Sequence, residues 1–180
     1  LRTESLRGDR LPFEQLEHRN LLAADFGDAP FPYPVTLAEN GAQHAVGTLR
    51  LGSESVDMEG DGTHSAQADF DDLNGAADDE NGVTFGMIQV GALDQTVTVN
   101  VQGASGKLDA WIDFNGDGSW GGLGEQIFAS HDVVVGDNHL TIDVPSHAVA
   151  GQTFARFRLS SAGNMGVKGG QLTEKSKTIP

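Results

Sequence analysis

The segment Asp113-Phe-Asn-Gly-Asp-Gly-Ser-Trp-Gly-Gly-Leu-Gly-Glu125 places hard oxygen donors at alternate positions and follows them with a sharp turn. That composition suits a calcium loop. Asp113, Asn115 and Asp117 each offer a side-chain oxygen, Gly118 allows the bend, the Ser119 carbonyl is expected to face inward, and Glu125 is expected to close the shell with two oxygens. The spacing departs from the helix-loop-helix form, where the closing Glu is the twelfth loop residue; here the twelfth is Gly124 and Glu125 is the thirteenth. The same Asn, Asp and Gly residues also suit a tight turn that binds nothing. A second stretch, Asp57-Met-Glu59-Gly-Asp61-Gly62, repeats the every-other-residue acid spacing followed by Gly. With Asp78, Asp79 and Glu80 it is expected to form a further ion site.

Charge distribution points the same way. The 180-residue chain carries a formal charge of −15, and between Arg50 and Lys107 it has eleven carboxylates and no Lys or Arg. Such a face is self-repulsive, and each divalent cation would cancel two charges; an acidic, solvated surface without metal is the alternative. Nucleic acid and anionic membranes are disfavoured as partners. No apolar run of about 18 residues is present, so no membrane-spanning helix is expected. The absence of cysteine excludes disulfides and thiolate metal sites, leaving a cytosolic protein or an extracellular one stabilised by calcium.

Catalytic patterns are wanting. The sequence has no Cys nucleophile, no Gly-x-Ser-x-Gly elbow and no His-Glu-x-x-His. His18, His44, His64, His131, His139 and His147 are scattered singly and read as surface or hydrogen-bonding residues rather than zinc ligands or bases. Asp78 and Asp79 are adjacent, so in a strand they would point to opposite sides and not act as a hydrolytic pair. Trp111 is expected in or beside the core and Trp120 over the calcium loop, with a sugar platform as the competing reading.

The elements that must position these residues are strands. Twenty-four Gly, 38% hydrophobic residues and short Val/Thr/Ile runs between Gly/Asp/Asn turns predict one all-β domain, an antiparallel, jelly-roll-like β-sandwich with calcium-binding loops. Lys107 to Ile112 and Gln126 to Ala129 read as strands flanking the loop. Thr96 to Val101 alternates with period two, Gly103 to Gly106 is predicted as a hairpin turn, and Leu108, Ala110 and Ile112 return along the buried face. Leu140, Ile142 and Val144 alternate inward, as do Ala155, Phe157 and Leu159, with Arg156 and Arg158 predicted to face out. Pro30, Pro32 and Pro34 predict an extended approach to the domain. Residues 12–24 read as a short, weakly amphipathic helix.

Asp25-Phe-Gly-Asp-Ala-Pro30, Glu39-Asn-Gly-Ala-Gln-His44, Leu51-Gly-Ser-Glu-Ser-Val-Asp57, Asp71-Asp-Leu-Asn-Gly75, Asp78-Asp-Glu-Asn-Gly-Val-Thr-Phe85, Ala110-Trp-Ile-Asp-Phe-Asn-Gly-Asp-Gly118, Gly124-Glu-Gln-Ile-Phe128 and Phe154-Ala-Arg-Phe-Arg-Leu159 resemble, in order, the blocks of the GEVED domain. The resemblance covers residues 25–165. It implies a non-enzymatic, calcium-binding β-sandwich module of a secreted or cell-surface bacterial protein. Phe13 to Ala23 resembles the LEPR-XLL signature of planctomycete surface proteins, with His18 where Pro usually stands, and implies an export or sorting segment over 1–24.

The C-terminal Gly-Glu-Val-Glu-Asp that names the family is replaced by Gln171-Leu-Thr-Glu-Lys-Ser-Lys-Thr-Ile-Pro180. By reverse translation, Gln171 to Ile179 can be written with the codons CAG CUG ACG GAG AAG UCG AAG ACU AUC. Read from their third base, they encode Ala-Asp-Gly-Glu-Val-Glu-Asp-Tyr. A frameshift between about Gly163 and Gln171 is therefore expected, with 166–180 an out-of-frame, disordered tail. The reading as a whole is a calcium-binding module with a structural or adhesive role, whose partners are calcium and, beyond it, other surface domains or glycans. A carbohydrate-binding module is the alternative, and a metal-dependent hydrolase a more distant one.

Overall fold

The computed structural model describes residues 24–45, 47–54, 60–68 and 82–169, together with the backbone of 174–179. Its strands are β1 (Ala24–Phe26), β2 (Gln43–Ala45), β3 (Arg50–Leu51), β4 (Val83–Phe85), β5 (Gln95–Gln102), β6 (Gly106–Ile112), β7 (Gln126–Val133), β8 (Gly136–Ile142), β9 (Thr153–Ser160) and β10 (Glu174–Ile179). The fold is all-β and every pairing is antiparallel. Among the described residues no helix is long and apolar enough to cross a membrane.

One sheet is ordered β10-β9-β6-β7. A second is centred on β5, with β8 along one edge and β3 and β4 sharing the other. Period-two alternation in β5 turns Val97, Val99 and Val101 into the core and leaves Thr96, Thr98 and Asn100 on the opposite face. They join Leu108, Ala110, Ile112, Ala155, Phe157 and Leu159 from the other sheet in one apolar cluster. The predicted alternation of these strands holds.

Three expectations are corrected. The Gly103 to Gly106 turn is not a hairpin, because β5 and β6 lie in different sheets; the turn carries the chain from one to the other. Arg156 and Arg158 point away from the first cluster as alternation requires, yet both are fully buried. A second apolar cluster covers that outer face, with Ala29, Tyr33 and Val35 packing on Trp111 and Trp120, and Phe154, Met165 and Val167 at its margin. Periodicity tells which face a residue takes, not whether another segment covers it. The tail, expected to be disordered, supplies β10, paired with β9 from Glu174↔Arg158 to Ile179↔Thr153. An edge strand needs main-chain partners more than hydrophobic alternation, and β9 offers an edge.

The covering segment is held locally. Instead of an extended approach, Tyr33 N–H bonds the Pro30 carbonyl in a turn. Thr36 then caps a short 3-10 helix (Leu37–Glu39) through a capping box with Glu39. Residues 60–68 buttress it, since Leu37 N–H donates to Asp61 Oδ1 at 2.6 Å and His64 bridges the Ala29 carbonyl and Glu39. The amphipathic stretch 12–23 lies outside the described residues.

Burial opposes ionisation of Glu39, but the Thr36 N–H, His64, the Val35 N–H and the Thr36 hydroxyl outweigh it and hold the carboxyl at about 2, below its ordinary 4.5. A depressed carboxyl stabilises the fold fully above its unfolded pKa, and that contribution is lost as pH falls from 4.5 toward about 2. Glu39→Gln is expected to melt below the parent at neutral pH. Melting curves from pH 7 to 2 should show that gap closing across the same window.

Candidate metal centre

The loop from Asp113 to Glu125 joins two paired neighbours, β6 and β7, and its base is closed by the Ile112 N–H bonding the Glu125 carbonyl at 2.9 Å. Asp113 N–H bonds the Phe154 carbonyl, and the Thr153 hydroxyl donates to the Asp113 carbonyl, so β9 fixes the first loop residue. The Asp113 carboxylate then organises the turn. Its Oδ1 accepts from Gly116 N–H at 2.7 Å and Asp117 N–H at 3.3 Å, and its Oδ2 accepts from Gly118 N–H at 2.9 Å.

Asp113, Asp117 and Glu125 converge, each offering one carboxylate oxygen within 4.8 Å of the others. Oxygens bound to one calcium at about 2.3–2.6 Å lie at most about 5 Å apart, so this spacing fits a single ion. Asp113 and Glu125 are each only 1% exposed. Glu125 Oε2 accepts from Gly122 N–H at 2.6 Å, whereas its Oε1 is buried without a hydrogen-bond partner. A buried lone carboxylate oxygen beside two other acids is costly unless a cation faces it. Burial pushes the Glu125 carboxyl above its ordinary value; the Gly122 N–H pulls it back, the Asp113 and Asp117 charges raise it further, and the Asn115 N–H lowers it in smaller measure. Hard carboxylate oxygens of this kind select hard cations.

The other predicted ligands make these contacts. Asn115 turns onto its own loop, its amide donating to Asp117 Oδ2 at 3.0 Å and its Oδ1 accepting from Asp117 N–H. Ser119 Oγ accepts from Gly121 N–H. Asp61 Oδ1 accepts from the Leu37 and Gly62 amides. Asp57, Glu59, Asp78, Asp79 and Glu80 lie outside the described residues.

Sequence reasoning missed Tyr33. Its hydroxyl donates to Asp113 Oδ2 at 2.5 Å from 80 residues away. Burial raises its pKa strongly, and the bond to Asp113 and the nearby acid charges add to that, so it stands as a neutral donor. Only its place between two prolines hinted at a fixed position. Trp120, expected over the loop, is buried: Tyr33 packs on it with ring centroids 4.4 Å apart, and the Arg156 guanidinium lies 4.1 Å over its ring. Neither Trp111 nor Trp120 leaves a ring face exposed for a sugar platform. Among the described residues no histidine joins the carboxylate cluster; His44 is buried beside Asp25, and His139 meets Thr98.

Residues 107–173, which hold β6 to β9, the carboxylate loop and both buried arginines, match the GEVED domain family. Over that span the chain is similar to the GEVED domain. The matched span begins well after residue 25, where the resemblance of the blocks starts, so Tyr33 and its segment stand outside it. GEVED domains are in general non-catalytic, surface-associated modules. No curated protein and no solved structure matches the chain.

Gly118 is where the carboxylate loop meets the N-terminal segment. Its φ is +79°, and a Cβ there would fall 2.4 Å from Pro32 Cγ. Gly118→Ala therefore combines a left-handed backbone with a clash, and is expected to destabilise by roughly 1–3 kcal/mol. Urea denaturation of the variant beside the parent checks it.

Proposed function

We propose that this chain is a calcium-stabilised β-sandwich module of an exported or cell-surface bacterial protein, with a structural or adhesive role and no catalysis. The observation that carries the reading is the convergence of the Asp113, Asp117 and Glu125 carboxylates, one oxygen of each within 4.8 Å of the others, with Asp113 and Glu125 buried. Calcium would be held by these three carboxylates, with loop carbonyls or water completing the shell, and Tyr33 would orient Asp113 from behind. The net charge of −15 supports a requirement for cations. Burial argues against hydrolysis at this centre, because Asp113 and Glu125 are too enclosed to meet a polymeric substrate. The same burial makes a metal here a structural element. A further ion at 57–80 belongs to this proposal as a second, separate site.

Calcium should raise the melting temperature and give a saturable heat in calorimetric titration. A ligand of the folded state alone stabilises by about 2.7 kcal/mol at one hundred times its Kd. Magnesium should do less, being small and strictly octahedral. Glu125→Gln removes one of three mutually repelling acids, so it should fold without calcium at least as well as the parent and lose the calcium-dependent shift. A parent chain showing neither heat nor shift at millimolar calcium would overturn the reading.

A further inference from the structure

The apolar cluster between the two sheets does not close at the end where β6 stops and β9 begins. There a cleft of about 690 Å³ opens to solvent. Its floor is Ile112, Phe114 and Val144, all buried members of that cluster. Two loops form its lips: residues 86–94, between β4 and β5, bring Ile88 and Val90, and residues 143–152, between β8 and β9, bring Ala148 and Val149. Val90 and Val149 are exposed, and Met87 and Leu93 add further exposed apolar surface to the first lip. Apolar surface left open around a concavity marks a binding site more often than scattered apolar residues do.

The lips are tied in place. Val149 N–H bonds the Phe114 carbonyl at 2.7 Å, and Val144 N–H bonds the Ala92 carbonyl at 2.9 Å. Each lip also turns on itself, Ala92 N–H bonding the Gln89 carbonyl and Ala148 N–H the Pro145 carbonyl. A cleft held this way is formed before a ligand arrives, which lowers the ordering cost of binding. Among its lining residues only Asp113 is ionisable, and that carboxylate is buried and already accepts from Gly116, Asp117, Gly118 and Tyr33. The Thr153 hydroxyl is engaged by the Asp113 carbonyl. Gln89 and Gln152 place side-chain amides at the exposed rim. Both lips lack Lys and Arg and carry Asp94 and Asp143, so the surroundings repel anions.

We propose that this cleft binds an uncharged small molecule with an apolar body of one or two rings and a single hydrogen-bonding group. The body would lie between Phe114, Val144 and the two lips, and the polar group would meet the amide of Gln89 or Gln152. An apolar cavity of about 150 Å³ takes one benzene ring, so the volume accommodates such a body. The inference uses none of the three converging carboxylates as ligands and stands apart from the metal reading.

The test is titration of the full chain with 2-naphthol, followed by amide chemical shifts. Binding should saturate at one equivalent, with shifts centred on 88–90, 112–114 and 148–153. 2-Naphthoate, the same rings with a carboxylate, should bind roughly tenfold more weakly, because the acidic surroundings repel it. Ala148→Phe, which fills the cleft, and Val149→Glu, which puts a charge on its rim, should each weaken 2-naphthol by at least about tenfold, a difference of about 1.4 kcal/mol. Val135→Glu, an exposed site in the β7–β8 turn at the other end of the sandwich, should leave it unchanged. If Ala148→Phe fails to fold, Val149→Glu decides, since its side chain is exposed in the parent. Unsaturable binding, shifts centred elsewhere, equal affinity for 2-naphthoate, or affinity undiminished in the folded cleft variants would overturn the proposal. So would self-association of the chain that Ala148→Phe or Val149→Glu abolishes and 2-naphthol does not compete with, which would assign the cleft to a second copy.

Discussion

The carboxylate of Asp113 ties the loop after β6 to the N-terminal segment, beside the apolar packing of Tyr33 on Trp120. It collects the N–H groups of Gly116, Asp117 and Gly118 and so bends the loop, and from the opposite side it takes the Tyr33 hydroxyl. Its backbone is fixed by Phe154 and Thr153 at the start of β9. A carboxylate this buried is tolerated because its oxygens are so well supplied with donors. The convergence with Asp117 and Glu125 follows from the loop it shapes.

The N-terminal segment depends on the same constraint. Tyr33 reaches Asp113 only because the Pro30 turn and the capped 3-10 helix hold it against Trp111 and Trp120. Pro32 lies where a side chain at residue 118 would have to go, so the loop and the segment are fitted to each other. The family match stops short of this segment, yet the loop within the matched span rests against it. The sheet beneath is consequently buried on both sides. That explains why β6 and β9 show near-continuous burial rather than the alternation of β5.

Double-sided burial also sets the role of charge. Asp109 accepts from the Ser130 and Met165 amides, while Arg156 and Arg158 donate to carbonyls of the 161–169 loop and Pro34. Ionic side chains here work as hydrogen-bonding pins that hold irregular segments to a regular sheet. Such pins suit segments with too little apolar surface to attach by packing alone. Glu39 does the same work at the surface for Thr36 and His64.

What the sequence determined by itself is local. Alternation in Thr96 to Val101, Leu108 to Ile112 and Ala155 to Leu159 specified strands and their core faces, because a side-chain period of two is a property of the extended backbone. Alternating Asp113, Asn115 and Asp117 before Gly118 specified an acidic loop between strands, since those residue types are what such a turn needs. Tertiary structure decided that the Asp113, Asp117 and Glu125 carboxylates converge, through the β6–β7 pairing and the bend around Asp113. It also decided that the Gly103 turn changes sheets, that Tyr33 reaches the loop from 80 residues away, and that Arg156 and Arg158 are buried. Each of these outcomes depends on which distant segment lands on an exposed face or edge, and the period of a single strand carries no record of that.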